Sequence, residues 1–147
     1  MATILLPPDF KEFLKLLNSH EVAYLLIGGY AVNYHGYARA TADMDIWVGI
    51  DPGNAEKAAA VLREFGFSQA TPALFAEPGK VVRMGVPPIR IEVLTSASGV
   101  DFAACFEHRE RVELDDVPVN LIRLADLKLN KKACGRLKNL ADLEQLD

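Results

Sequence analysis

The chain has 147 residues, half of them apolar, and a formal net charge of -4. This length suits a single domain, here residues 1–147, with a core of its own. The acidic balance excludes a large, uniformly basic face for nucleic acid, so any such contact would have to use a local patch.

Targeting signals and thiols suggest a compartment. The N-terminus lacks the basic start and long apolar region of a signal peptide, and no apolar run approaches the roughly 18 residues of a membrane span. Cys105 and Cys134 show no metal-type spacing and lie beside apolar residues. We therefore expect buried free thiols and a soluble cytoplasmic protein with no membrane partner.

The first half of the chain predicts three helices separated by two strands. Apolar residues at positions 10, 13, 14, 16 and 17 have helical spacing, and Asp9, after two prolines, is placed to cap that helix. The apolar run over residues 22–27 predicts a strand buried on both faces, and Gly28-Gly29 ends it. The other expected elements are a short helix over 30–35 ended by Gly36, a strand over 44–50, and a helix over about 54–65 stopped by Gly66.

The second half predicts mainly strands and then helices. Residues 68–78 have no decisive pattern, so their state stays open. The expected elements are strands over 80–84 and 89–94, a short helix over 102–106, a hairpin of 111–114 and 117–121 around Asp115-Asp116, and helices over 123–134 and 137–146, with Gly135 as a C-cap between them. This order predicts an α/β (α+β) domain with a mixed sheet flanked by helices.

Two acids spaced one residue apart, Asp43 and Asp45, open the strand predicted over 44–50. Alternate strand residues point to the same face, so the two carboxylates repel each other unless a cation lies between them. Mg²⁺ prefers one or two carboxylates together with substrate phosphates and water. The pair therefore indicates a metal-bound nucleotide with Mg²⁺ or Mn²⁺, although Asp-x-Asp alone commonly caps a turn.

Glu92 is the candidate third acid. It lies in an apolar strand pattern, on the face opposite Ile91 and Val93, where an acid is costly without a partner. Facing Asp43 and Asp45 across the sheet, it would bind a second ion or take the proton from an attacking hydroxyl. Pairing with Arg90 or another base is an equal alternative.

The glycine pair Gly28-Gly29 lies between a buried strand and a short helix. Glycine lets the backbone turn sharply and approach a ligand closely, and the N–H groups that begin a helix favour an anion. A phosphate site is one interpretation and an ordinary tight turn is the other. The pair matches neither the Walker pattern nor Gly-x-Gly-x-x-Gly, which argues against those nucleotide folds.

Basic residues flank both ends of this pattern. Arg39 and Thr41 precede the acids, and the arginine would pair either with a phosphate or with one of the carboxylates. Lys128, Lys131 and Lys132 have helical spacing and are expected on one face. That local cluster would hold a triphosphate or a nucleic-acid acceptor, or it is a solvated helix surface.

Taken together, these residues resemble a known family. Gly28-Gly29 with Ala31, Gly36, Arg39, Thr41, Asp43-x-Asp45 and a later-strand acid is similar to the nucleotidyltransferases of the polymerase-beta superfamily. The likeness is greatest to small bacterial members, including stand-alone minimal domains and toxin components of toxin–antitoxin pairs. It covers a core over about 22–94, and a C-terminal helical tail over about 123–147 looks like the basic end of those domains.

The resemblance implies a nucleotidyltransferase-like fold and a metal-dependent enzyme. Such an enzyme moves a nucleoside monophosphate from an NTP to an acceptor hydroxyl and releases pyrophosphate. Its acceptor would be a tRNA end, a protein or a small molecule. By matching position, the nucleotide would be held by Gly28, Gly29, Arg39, Thr41, Lys128 and Lys132, and the catalytic and metal-binding acids would be Asp43, Asp45 and Glu92.

Three positions depart from the family pattern. Many relatives have Gly-Ser where this chain has Gly28-Gly29, their third acid is commonly Asp where this chain has Glu92, and Asn139 stands where the tail often carries an acid. The alternative expectation is therefore a catalytically degenerate nucleotide-binding or interaction module, with a cognate toxin or antitoxin as its partner.

Overall fold

The structure is a computed structural model that describes residues 4–36, 43–86 and 88–135. Helices and strands alternate along much of those segments. In chain order they are α1 (Pro8–Ser19), β1 (Tyr24–Ile27), α2 (Gly28–Tyr34), β2 (Asp43–Val48), α3 (Pro52–Phe65), a 3-10 turn (Pro72–Phe75), β3 (Val81–Val86), β4 (Ile89–Leu94), α4 (Phe102–Glu107), β5 (Glu110–Leu114), β6 (Val117–Leu121) and α5 (Leu124–Cys134). None of the described helices is long and apolar enough to cross a membrane.

The strands form one mixed sheet in the order β3-β4-β2-β1-β6-β5. Pairs β2–β4 and β1–β6 are parallel, and pairs β1–β2, β3–β4 and β5–β6 are antiparallel. All four residues of β1 are buried, as expected for an apolar strand in the middle of a sheet. The predicted fold class, a mixed sheet flanked by helices, is confirmed.

Helix termini follow local chemistry, with one correction. Asp51 caps α3 because its carboxylate accepts a hydrogen bond of 3.1 Å from the amide of Asn54. Gly135, at φ 65, is the left-handed C-cap of α5 as predicted. The prediction that Asp9 caps α1 is wrong: Pro7 occupies the N-cap position, and Asp9 lies inside the first turn.

Several boundaries differ from the sequence prediction. Helix α2 begins at Gly28 rather than at residue 30, and β2 begins at Asp43, so both paired acids lie within the strand. The ambiguous segment 68–78 contains the 3-10 turn. Cys105 is buried as expected, whereas Cys134 is exposed, because it lies at the end of α5. The helix predicted over 137–146 lies outside the described residues.

A buried amide fixes the relative positions of β1 and β2. The side chain of Asn54 accepts from the amide of Ala23 at 2.7 Å and donates to the carbonyls of Ala23 and Gly49 at 3.0 and 2.8 Å. These residues lie just before β1, just after β2 and in α3. Asn54 therefore supports the strand register that positions Asp45, which lies further along β2.

Candidate active site

Strand register brings the paired acids and the third acid together. Asp45 lies opposite Ile27 of β1 on one side and opposite Glu92 of β4 on the other. Asp43 lies opposite Arg90 in the same parallel pairing. Residues directly opposite on neighbouring strands have side chains in contact range, so the sheet itself places two carboxylates next to each other.

Gly28 follows β1 directly and lies against the carboxylate of Asp45. Its φ is +71°, in the left-handed region that favours glycine. A Cβ built on Gly28 would overlap the Oδ2 atom of Asp45. The missing side chain therefore makes room for the acid, which explains why a glycine stands here whether or not a phosphate binds.

Asp45 is in an unfavourable place for an ionised acid. Burial, followed by the negative charges of Glu92 and Asp43, raises the pKa of Asp45 from its ordinary 3.8 to about 7. The positive charge of Lys131 opposes this rise in pKa. Negative charge thus accumulates around Asp45 beyond what Lys131 offsets.

Two arginines hold the other two acids. Arg90 donates to Oδ2 of Asp43 through Nε at 3.1 Å and through a terminal nitrogen at 2.6 Å. The same terminal nitrogen lies 3.4 Å from Oε1 of Glu92, and Nε of Arg83 donates to that oxygen at 3.2 Å. The sequence left open whether Glu92 faces the other acids or pairs with a base, and it does both.

The carboxylates suit a hard cation in their chemistry, and two of them with substrate phosphates would meet the usual needs of Mg²⁺. In the described part of the chain, however, no group of three or more His, Cys, Asp or Glu side chains is arranged to hold a metal. Asp43 is paired with Arg90, and Glu92 is paired with Arg83.

These groups line a cleft of about 770 Å³. Among the expected site residues, Gly28, Asp43, Asp45 and Glu92 line it. Gly29, Lys128 and Lys132 do not, and Arg39 and Thr41 lie outside the described residues. Lys131, which the sequence analysis placed with Lys128 and Lys132 in the basic cluster, also lines it. The sequence analysis did not assign to the site the other polar lining residues, which are Arg83, Arg90, Ser96, Ser98, Asn130 and Cys134.

Of the three lysines expected on one face of α5, Lys131 lines the cleft, whereas Lys128 and Lys132 do not. Successive residues on an α-helix are separated by about 100°, so Lys131 and Lys132 lie at opposite edges of the expected face. Lys131 is buried and Lys132 is exposed. Asn130, also buried, donates from its side chain to the carbonyl of Ser98 at 3.0 Å, which ties α5 to the loop after β4. The apolar phase of α5, with Leu127 buried, was the available signal for choosing Lys131.

Comparisons with solved structures identify the same overall fold in other proteins. A candidate nucleotidyltransferase from Thermotoga maritima has a TM-score of 0.63 at 12% identity, covering 96% of this chain and 94% of that one. The antibiotic-resistance factor ANT(2″)-Ia has a TM-score of 0.59 at 11% identity, covering 94% and 80%. A nucleotidyltransferase-like antigenic protein from Paracoccidioides brasiliensis has a TM-score of 0.54 at 15% identity, covering 92% and 72%.

Sequence comparisons give no further assignment. No family model matches the chain, and no curated protein is significantly similar to it. At 11–15% identity the structural neighbours establish a nucleotidyltransferase-like fold, and the function has to be inferred from the cleft itself.

Proposed function

We propose that this protein is a metal-dependent nucleotidyltransferase that moves a nucleoside monophosphate from an NTP to an acceptor hydroxyl, with release of pyrophosphate. The observation that carries the proposal is the register of β1, β2 and β4, which gathers Gly28, Asp45 and Glu92 at one cleft. A nucleotidyltransferase-like fold around that cleft supports it.

In this proposal the nucleotide lies on the Gly28 side of the cleft. Lys131 would pair with the triphosphate, since it is a cation that lines the cleft close to Asp45. Asp43 and Asp45 would hold the Mg²⁺. The ion would supply positive charge to offset the charge of the phosphates and the repulsion among the carboxylates around Asp45. Arg90, which pairs with Asp43, would then rely on Glu92 as its remaining acidic contact.

Glu92 would act as the general base. Its carboxylate would take the proton of the acceptor hydroxyl while the hydroxyl oxygen forms a bond to the α-phosphorus. The bond from the α-phosphorus to the bridging oxygen of pyrophosphate breaks, and that oxygen keeps the electron pair. Arg83 and Arg90 would orient the base through their contacts to Oε1. Catalysis of this kind depends on positioning and charge neutralisation.

The test is transfer of label from each α-labelled NTP, with Mg²⁺ or Mn²⁺, to the components of a cell extract. Wild type should label an acceptor. Glu92→Gln should lose at least about 100-fold, the usual effect of removing a general base, and Asp45→Asn should also lose label transfer because it removes a carboxylate that would hold the metal. Glu56→Gln, at an exposed acid of α3, is the matched control. Equal label transfer by Asp45→Asn and wild type would reject the enzyme.

A second candidate is a nucleotide-binding module without turnover, acting as one member of a toxin–antitoxin pair. The arginine contacts to Asp43 and Glu92 favour it, because both acids already have cationic partners. Calorimetry with NTP and Mg²⁺ separates the two candidates: tight binding without label transfer supports the module. The free thiols Cys105 and Cys134 agree with the cytoplasm as the proposed location for either.

A further inference from the structure

The order of the strands divides the cleft into two sides. Asp45 is on β2, with Gly28 beyond β1 on one side and Glu92 on β4 on the other. If the nucleotide occupies the Gly28 side, as proposed above, the acceptor has to approach from β4 and β3. The residues of those two strands that line the cleft therefore face the acceptor.

Two guanidinium groups stand on that side. Arg83 lies on β3 directly opposite Glu92 of β4, and Arg90 lies two residues before Glu92 on the same face. The side chain of Arg83 is 59% exposed, whereas that of Arg90 is 31% exposed. Arg83 binds Glu92 through Nε, and a guanidinium has five N–H donors in a fixed fork. It can therefore hold Glu92 and still offer donors to a ligand.

The charges on the β3–β4 side of the cleft favour an anionic acceptor. Two arginines that line the cleft, Arg83 and Arg90, stand there beside one acid, Glu92. A metal ion bound with the nucleotide would reduce the need of Asp43 and Asp45 for protein cations. An acceptor with several amines would then meet unopposed like charge beside Glu92, which disfavours it. A phosphate, by contrast, would accept hydrogen bonds from an arginine guanidinium, whose planar fork of donors matches phosphate geometry.

The position of β3 also leaves room for this acceptor. β3 is the last strand of the sheet in the described part of the chain, so Arg83 stands at the outer end of the cleft. Ser96 and Ser98, in the loop after β4, line the same cleft and add hydroxyl donors. An acceptor that extends past Arg83 would meet no further strand of the described sheet.

We propose that Arg83, supported by Arg90, forms an anion subsite for the acceptor, and that the acceptor is a hydroxyl compound with a phosphate group close to the reacting hydroxyl. This inference rests on the proposed nucleotidyltransferase function. It excludes polyamine acceptors such as aminoglycosides and includes both small sugar phosphates and the 3′ ends of ribonucleotide chains, which share this chemistry.

The test measures binding of acceptor probes separately from binding of NTP. The probes are ribose 5-phosphate, a single-stranded hexaribonucleotide with a free 3′ hydroxyl, unphosphorylated ribose and an aminoglycoside. Wild type should bind at least one phosphorylated probe more tightly than ribose or the aminoglycoside. The preferred phosphorylated probe distinguishes a small acceptor from a polymer.

Variants isolate the role of Arg83. Arg83→Gln should weaken the preferred phosphorylated probe by roughly 10- to 100-fold, the value of one charge-assisted hydrogen-bonding group, and Arg83→Lys by less. Arg111→Gln, at an exposed arginine of the opposite edge strand β5, should change nothing. Glu92→Gln removes the charge that Arg83 holds but keeps Arg83, so a loss of probe binding in Arg83→Gln that Glu92→Gln does not reproduce is assigned to Arg83 itself.

Three results would overturn the inference. The first is unchanged binding of the phosphorylated probe by Arg83→Gln. The second is that Arg83→Gln weakens binding of NTP as much as binding of the probe, which would assign Arg83 to the triphosphate. The third is that wild type binds the aminoglycoside more tightly than either phosphorylated probe. Failure of wild type to bind NTP would instead reject the proposed function. In that case the binding of the phosphorylated probes to wild type and Arg83→Gln would still test the anion subsite.

Discussion

Replacing Asp45 by Asn should stabilise the fold while abolishing the proposed reaction. The pKa of Asp45 is about 7 in the folded protein against an ordinary 3.8, and each unit corresponds to about 1.4 kcal/mol. Keeping Asp45 ionised in the fold therefore costs up to about 4 kcal/mol above pH 7, before solvent screening and side-chain relaxation reduce it. Asparagine has nearly the same shape and carries no charge, so we expect a gain of about 2 kcal/mol.

The pH dependence supplies the sharper criterion. Because the pKa of Asp45 is higher in the folded state than in the unfolded chain, its contribution to stability is lost as pH rises from about 4 to about 7 and is constant above that. The free energies of unfolding of wild type and Asp45→Asn, measured with urea, should therefore diverge across this pH window. A variant that is less stable at pH 8, or whose advantage is the same at pH 4 and pH 8, would refute the reasoning.

Three further substitutions test other parts of the site. Gly28→Ala should destabilise the protein by at least about 1 kcal/mol more than Gly79→Ala. Both glycines have positive φ, but only a Cβ at Gly28 would contact another residue, Asp45. Equal losses of stability in thermal unfolding would contradict that contact. Lys131→Met should weaken NTP binding by about 10-fold or more in calorimetry, whereas Lys132→Met, at an exposed lysine, should not. A larger loss in Lys132→Met than in Lys131→Met would place the triphosphate beside Lys132, as the resemblance implied. Asn54→Ala should cost about 3 kcal/mol in urea unfolding, since it removes the partner of the Ala23 amide, just before β1, and of the Gly49 carbonyl, just after β2. A loss under 1 kcal/mol would contradict that role.

Local elements were predictable because local chemistry fixes them. The hairpin around Asp115-Asp116 is confirmed, with both aspartates at positive φ, the conformation that a two-residue hairpin turn requires. The apolar run before Gly28 gave the buried strand β1. Boundaries shifted by one or two residues, as at the start of β1, which was expected at residue 22 and is observed at Tyr24.

Non-local pairing was not readable from the sequence. β2 pairs in parallel with β4 although α3 and β3 intervene in the chain, and this pairing decides that Glu92 stands beside Asp45. The register also sets Arg90 opposite Asp43, a contact that spacing alone could not distinguish from solvent exposure. Helical spacing grouped the lysines of α5, and the structure shows that Lys131 is the one of the three that lines the cleft.

The glycine turn and the acid pair are one feature of the fold. Ile27 pairs with Asp45, so Gly28, the next residue, has to make room for the carboxylate. Their coexistence therefore adds less independent support for a phosphate site than two separate motifs would. The stronger support for a functional site is electrostatic. Burial and the charges of Glu92 and Asp43 raise the pKa of Asp45 to about 7, and packing alone gives no reason for an acid at that position. A charge that is costly in the fold is explained when a bound cation relieves it.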